Sequence, residues 1–395
     1  MPSLTSRGAS NAWGKSAAAG LAAVVTGSTF LSPAVAPALA TTARPGAAAS
    51  WRVVSAPRLT PISALSGIAV AGKRLAWAVG VTGASSDSTR PGRPLLLRWS
   101  GRAWSRVGLP GTWRGGIAAV ADSSATSAWA LGMNAPETKI VHLLHWNGHR
   151  WGTKTLPSIG GSINADIDLA AAPGGRAWIS TDTDALSTLL FSWNGRTWAA
   201  QSYPCAHLGC GLIQISARTN ADAWAVGNYF GSTATGGPLA LHWNGRTWSA
   251  TRVPFVKDGF LTGVFGVSRT NAWAVGSVQG SSAMLLDHWN GTRWQRMRTP
   301  AGLTTPWTGE RAQITGDAAG HLWIYGFGMI NGPRASYLRF NGHRWSVIRD
   351  APVRGENVPF VNGMAVVPGT QTAWSVGTSI TSKGARARIE RYATP

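Results

Sequence analysis

Leu143–Pro157 reads LLHWNGHRWGTKTLP: two short strand-like runs joined by a tight turn, Asn147-Gly148-His149-Arg150. Trp146 and Trp151 flank the turn, and Pro157 follows six residues after the second Trp. The same frame returns as Trp99/Trp104/Pro110, Trp193/Trp198/Pro204, Trp243/Trp248/Pro254 and Trp289/Trp294/Pro300. A further copy, Phe340/Trp345/Pro352, has Phe for the first Trp and one more residue before the proline. In every copy the two aromatic positions lie five residues apart, which predicts one hairpin geometry throughout.

A second element, AWAVG and its variants, precedes each hairpin, with Trp77, Trp129, Trp178, Trp224, Trp273, Trp323 and Trp374 as its tryptophans. The spacing gives a period of about 50 residues, in the range of propellers and solenoids. Seven such elements but six hairpins leave one hairpin incomplete. Trp51–Pro57 supplies the missing Trp-to-Pro spacing, and Arg391-Tyr392 sits where Arg98-Trp99 and Arg339-Phe340 sit in their repeats. The N-terminal strand is therefore expected to complete the last repeat. Repeats that close on themselves form a ring, not an open solenoid.

Each repeat reads as four strands. Strand a follows the proline (Ser66–Ala71, Leu212–Ala217 and Thr262–Ser268 are examples), strand b is AWAVG, strand c is the LLHW run and strand d runs from RW to Pro. In Ala76-Trp77-Ala78-Val79, alternation puts Trp and Val on one face and the two Ala on the other. The bulky face of one sheet is then expected against the small face of the next. The predicted fold is an all-β, seven-bladed propeller of four-stranded blades over residues 51–395. The pattern resembles seven-bladed β-propellers, and is most similar to the exported AWAVG/WNGxxW repeat proteins of high-GC Gram-positive bacteria. That resemblance implies fold and closure and carries no catalytic residues. The chain lacks the Gly-Gly and Tyr positions of kelch repeats, and only Thr315–Trp323 comes near the Asp-box of sialidase-type propellers.

Residues 1–40 read as a secretory signal: Arg7 and Lys15, the apolar run Ala17–Val25, then Ala38-Leu39-Ala40 as a small-x-small cleavage site. Residues 41–50 read as a linker. The apolar run is too short and too rich in Ala and Gly for a membrane span, so we expect a secreted protein without a transmembrane segment. For an exported chain, Cys205 and Cys210 suggest a disulfide; a metal pair with His207 lacks a fourth ligand nearby. The formal charge of +21 favours anionic partners and a monomer kept apart by self-repulsion. Export and the lack of a nucleic-acid module argue against nucleic acid.

Strand alternation places b–c and d–a connections at one end of each blade, and a–b and c–d turns at the other. The b–c interval varies in length and the c–d turn does not, so ligand binding is expected at the variable end. Candidate ligand residues there are Trp113 with Arg114, Trp307 with Glu310 and Arg311, and Tyr229. Trp113 and Trp307 are the tryptophans of residues 51–395 that the repeat does not explain; the alternative is that each folds over its own blade. At the opposite end the c–d turns repeat a cation, Arg102, Arg150, Arg196, Arg246, Arg293 and Arg344. This ring reads either as solubilising turn residues or as a dock for anionic envelope polymers.

Nothing marks a nucleophile: there is no G-x-S-x-G, and no Ser, His and acid at a recognisable spacing. His145, His242 and His288 share one repeat position with Ser192, Arg98 and Arg339, which reads as a lattice site. Strand pleating and the turn separate His142, His145 and His149, against a zinc site. Asp166 and Asp168 on strand a, with Asp182 and Asp184 after strand b, read as channel lining or a calcium pair. No cofactor is expected. The leading reading is a non-catalytic binding protein for a glycan or an anionic cell-envelope polymer. The alternatives are a polysaccharide-cleaving enzyme using Asp166 or Asp168, and a scaffold for another exported protein.

Overall fold

The computed structural model describes residues 49–85, 90–134, 140–155, 163–183, 188–205, 209–229, 236–281, 283–299, 312–326, 336–353 and 356–393. All regular structure in them is strand, and no helix there is long and apolar enough to cross a membrane. Blade 1 consists of Ser63–Gly72, Leu75–Thr82, Arg93–Trp99 and Trp104–Arg106, paired antiparallel in that order. Six further sheets repeat it, starting at Gly115–Ser124, Ile163–Ala171, Cys210–Thr219, Gly259–Ser268, Gln313–Gly316 and Glu356–Val366. Each of these inner strands packs beside the next, and the seventh packs beside the first, so the ring is closed. Strand d is shorter than the RW-to-Pro run: in blade 1 pairing stops at Arg106, before Pro110.

The closing strand is Ser50–Val53. It pairs antiparallel with Gly384–Ala393, opposing Trp51 to Tyr392, and so becomes the outer strand of blade 7. The expected ring closure is what the chain does.

Alternation in AWAVG builds the blade interfaces. Trp77 and Val79 pack with Ile117, Ala128 and Ala130 of blade 2, while Ala76 and Ala78 receive Trp374 and Val376 of blade 7. Each strand-b Trp then meets the hairpin aromatic pair of the following blade. Trp77 lies 5.0 and 5.1 Å from Trp146 and Trp151, and Trp374 lies 4.9 and 5.4 Å from Trp99 and Trp104. Seven such triads straddle the seven boundaries, the last formed by Trp323, Tyr392 and Trp51. Mostly tilted or edge-on rings add about 0.5–1.5 kcal/mol per pair beyond the area they bury.

The glycine that ends AWAVG has a steric cause. A Cβ on Gly80 would collide with the Ala64 carbonyl oxygen, because strand a bulges toward it between Leu65 and Gly67. The same bulge and clash recur at Gly227, Gly276 and Gly377. Inner-strand side chains also reach across to the neighbouring blade, two of them, Ser66 and Asn362, from the bulges. Ser66 Oγ donates to the Ile117 carbonyl at 2.6 Å, Gln313 to that of Thr262 at 2.6 Å, and Asn362 to that of Leu65 at 2.8 Å.

Candidate binding site

In the c–d turns, Asn147 Oδ1 accepts from the backbone N–H groups of His149 and Arg150, while Gly148 takes φ of 93°. Asn194, Asn244, Asn290 and Asn341 do the same, each with a left-handed glycine after it. This fixed turn points one arginine per hairpin outward. Arg102, Arg150, Arg196, Arg246, Arg293 and Arg344 are all exposed. Among the described residues, none of them has a carboxylate partner.

The a–b turns at the same end add Lys73, Arg74, Arg176 and Arg269. Among the described residues three carboxylates lie there, and each is engaged. Asp222 accepts from Arg218 at 2.5 Å and His242 at 2.7 Å; burial alone raises its pKa, but these partners outweigh it and hold the carboxyl below its usual value. Asp317 meets His321 at 2.8 Å. Asp122 is pushed up to about 6 by burial, against hydrogen bonds from its own N–H and that of Val70. The turn face is therefore a cationic ring whose few acids are already partnered.

Inside this ring lies a second one. At each boundary a cation or imidazole covers the strand-b indole. Arg98 lies 5.9 Å from Trp77, Arg176 6.0 Å from Trp178, Arg339 5.7 Å from Trp323 and Arg391 5.6 Å from Trp374. His145, His242 and His288 take the position over Trp129, Trp224 and Trp273 at 4.2–4.4 Å. The lattice position expected for these histidines is thus a lid on the triad, and where Ser192 leaves it short, Arg176 reaches over from the a–b turn. His142 stacks instead on Trp113 and His149 is exposed in its turn, so the three blade-2 histidines do not converge.

At the variable end, Trp113 is half-buried. Its ring stacks on His142 with centroids 4.1 Å apart and lies against Gly132 of its own blade, beside exposed Arg114. Its Nε1 is buried without a hydrogen-bond partner among the described residues. Trp307, Glu310 and Arg311 lie outside the described residues, as do residues 1–40, read above as a secretory signal, and Asp184. Tyr229 is partly buried against blade 4, and beside it Phe255 is 62% exposed; both close on Gly237. Cys205 and Cys210 are joined in a disulfide in the preceding d–a loop. Phe255 escaped sequence reasoning, although an apolar residue straight after the repeat proline was its signal.

Of the blade-3 carboxylates read as channel lining or a calcium pair, the side chains of Asp166 and Asp182 lie outside the described residues, which leaves Asp168. Asp168 accepts from the Ile215 N–H of blade 4 at 2.6 Å, which commits it to the ring. The pairing register of this strand shifts between Ile163 and Ile167. Burial pushes Asp168 up to about 6, against the bonds from Ile215 and Leu169. Its folded value lies above the unfolded one of about 4, so the fold holds a proton that the unfolded chain releases between these values. Stability from this group is present below about pH 4 and lost as pH rises through 6. His145 and His288, lowered mainly by burial, act in the opposite sense below their ordinary value, so the effect is best read against a variant. Asp168→Asn is expected to gain up to about 2–3 kcal/mol relative to wild type between pH 4 and 7 in denaturant titrations. A difference that stays flat with pH would mean an ordinary carboxyl.

No family model matches this chain, and comparison with curated proteins finds no match. Among solved structures, YCF48 from Cyanidioschyzon merolae overlays with a TM-score of 0.52 at 16% identity, over 87% of this chain and 98% of its own. A structure of YCF48 bound to D1 peptide gives 0.51, also at 16% identity, over 87% and 97%. A puromycin-hydrolysing peptidase from Mycobacterium tuberculosis gives 0.54 at 11% identity over 86% of this chain, which spans 55% of that longer protein. These likenesses show the propeller fold and nothing finer.

Proposed function

We propose that the protein is an exported, non-catalytic binding protein that docks on an anionic cell-envelope polymer or acidic glycan through its turn face. The observation that carries this reading is the ring of six exposed turn arginines without carboxylate partners among the described residues, beside acids already engaged. Single-sign charge spread around a rigid ring raises the local concentration of a polyanion and suits a repeating ligand. A monomer suffices, because the seven repeats supply the multivalency internally. The likeness to a propeller bound to a peptide favours a protein partner as the second reading.

The test is binding to immobilised polygalacturonate and to a glycerol phosphate polymer, with neutral dextran as control. Affinity is expected to fall at least about tenfold as salt rises from about 0.05 to 0.3 M, since exposed charges are screened over a few ångströms at the upper end. Replacing all six turn arginines by Ser should remove that dependence. An unchanged salt profile in the variant would return these side chains to a solubilising role.

A further inference from the structure

Between blades 1 and 2 lies a cleft of about 450 Å³ that the blade-2 turn borders. Its floor is the first interface triad, with the Arg98 guanidinium over Trp77 at 5.9 Å and over Trp146 at 5.8 Å. Leu109 and Pro110, on the segment leaving strand d of blade 1, form one wall; His149 and Arg150 of the blade-2 turn form the other. The volume falls in the range of small-ligand sites, about 300–1,000 Å³.

The chemistry of the lining is specific. A guanidinium lying over indoles is held in place by them, while its N–H edge stays available for a planar or tetrahedral oxyanion. Arg98 is exposed, and among the described residues neither it nor Arg150 is paired with a carboxylate. The opposite wall is aliphatic and suits the C–H face of a sugar ring. At three other boundaries the position of Arg98 is taken by His145, His242 or His288, and at a fourth Arg339 is occupied by Gln371 at 2.9 Å.

We propose that this cleft is a subsite for one sugar ring carrying an anionic group, carboxylate or phosphate. Arg98 and Arg150 hold the anion while the ring lies against Leu109 and Pro110. The inference rests on the polymer-binding reading above and names the unit of the polymer that is recognised.

Arg98→His is the informative variant, because histidine occupies that position in blades 2, 4 and 5 and keeps the indole covered. At about pH 8 the imidazole carries little charge. Calorimetry would compare a uronic acid tetrasaccharide, its carboxyl-reduced counterpart of equal length, and glucose 1-phosphate. The anionic probes are expected to bind at least about tenfold tighter than the reduced one, and Arg98→His and Arg150→Ser should each weaken them about tenfold with melting temperature unchanged. Tighter binding of the uronate assigns a carboxylate, and of the sugar phosphate a phosphate. Lys383→Ser, in the exposed b–c turn of blade 7 and outside both the arginine ring and the cleft, should leave binding unaltered. Equal affinity for the charged and reduced sugars, normal binding by Arg98→His, or an equal loss in Lys383→Ser would overturn the subsite. If the polymer still binds through the six turn arginines in that case, only the subsite falls. If neither polymer nor sugar binds, both readings fall.

Discussion

A chain lacking residues 41–57 should fail to fold as a monomeric ring. Trp51 is 4% exposed, stacked on Tyr337 with centroids 4.5 Å apart and lying 5.4 and 5.5 Å from Trp323 and Tyr392. Deleting its strand removes the third member of the seventh triad and bares the edge of Gly384–Ala393 to strand pairing with other copies. Trp51→Ala alone should cost about 3–5 kcal/mol through the cavity it leaves. The deletion should cost more, and appear as aggregation in size-exclusion chromatography with loss of the near-ultraviolet dichroism of ordered indoles. A truncated protein that stays monomeric and melts cooperatively within a few degrees of the full chain would show that the ring closes without this strand.

Arg388→Ala should be comparably severe. This guanidinium is 6% exposed at the blade 6–blade 7 boundary, reaching Glu390 at 2.8 Å, Asp350 at 3.3 Å and the Ala351 carbonyl. Glu390, 1% exposed, also accepts from Tyr337 Oη at 2.9 Å and from the Ala351 N–H at 3.0 Å. Burial raises Glu390 against the pull of Arg388. Removing this guanidinium takes from the buried Glu390 its cation among the described residues, a loss of about 3–5 kcal/mol. The double variant Arg388→Met, Glu390→Gln should be milder, because it withdraws charges of both signs. Chemical denaturation of wild type, single and double variants decides the matter. A single variant within about 1 kcal/mol of wild type would mean that water or another group takes the place of the guanidinium.

The fold was legible in the sequence because its determinants are local and repeated. Trp146 and Trp151 sit five residues apart, and the Trp51-to-Pro57 spacing betrays the displaced strand. The cationic turns were legible for the same reason. What escaped is what only blade-to-blade packing creates. Asp168 finds its partner at Ile215, 47 residues on, and no local pattern announces that hydrogen bond. Arg98 was visible as a member of a position shared with His145, but its cleft is made by Leu109 of one blade and Arg150 of the next. Arg388, Glu390 and Asp350 come from two blades and form no motif.

The seventh triad also has a consequence in time. Its Trp51 belongs to the first strand of the ring to be synthesised and its Tyr392 to the last, while Trp323 waits between them. Among the described residues, joining these two strands is the strand pairing of greatest sequence separation, and such contacts form late and slowly. Until translation passes Tyr392, the earliest strand has no neighbour to pair with. A chain cut short anywhere in its final repeat therefore carries an unsheltered indole and an open sheet edge, the features that chaperones and proteases recognise. The ring in this way inspects its own completeness: only a chain that carries both Ser50–Val53 and Gly384–Ala393 can cover that indole and that edge.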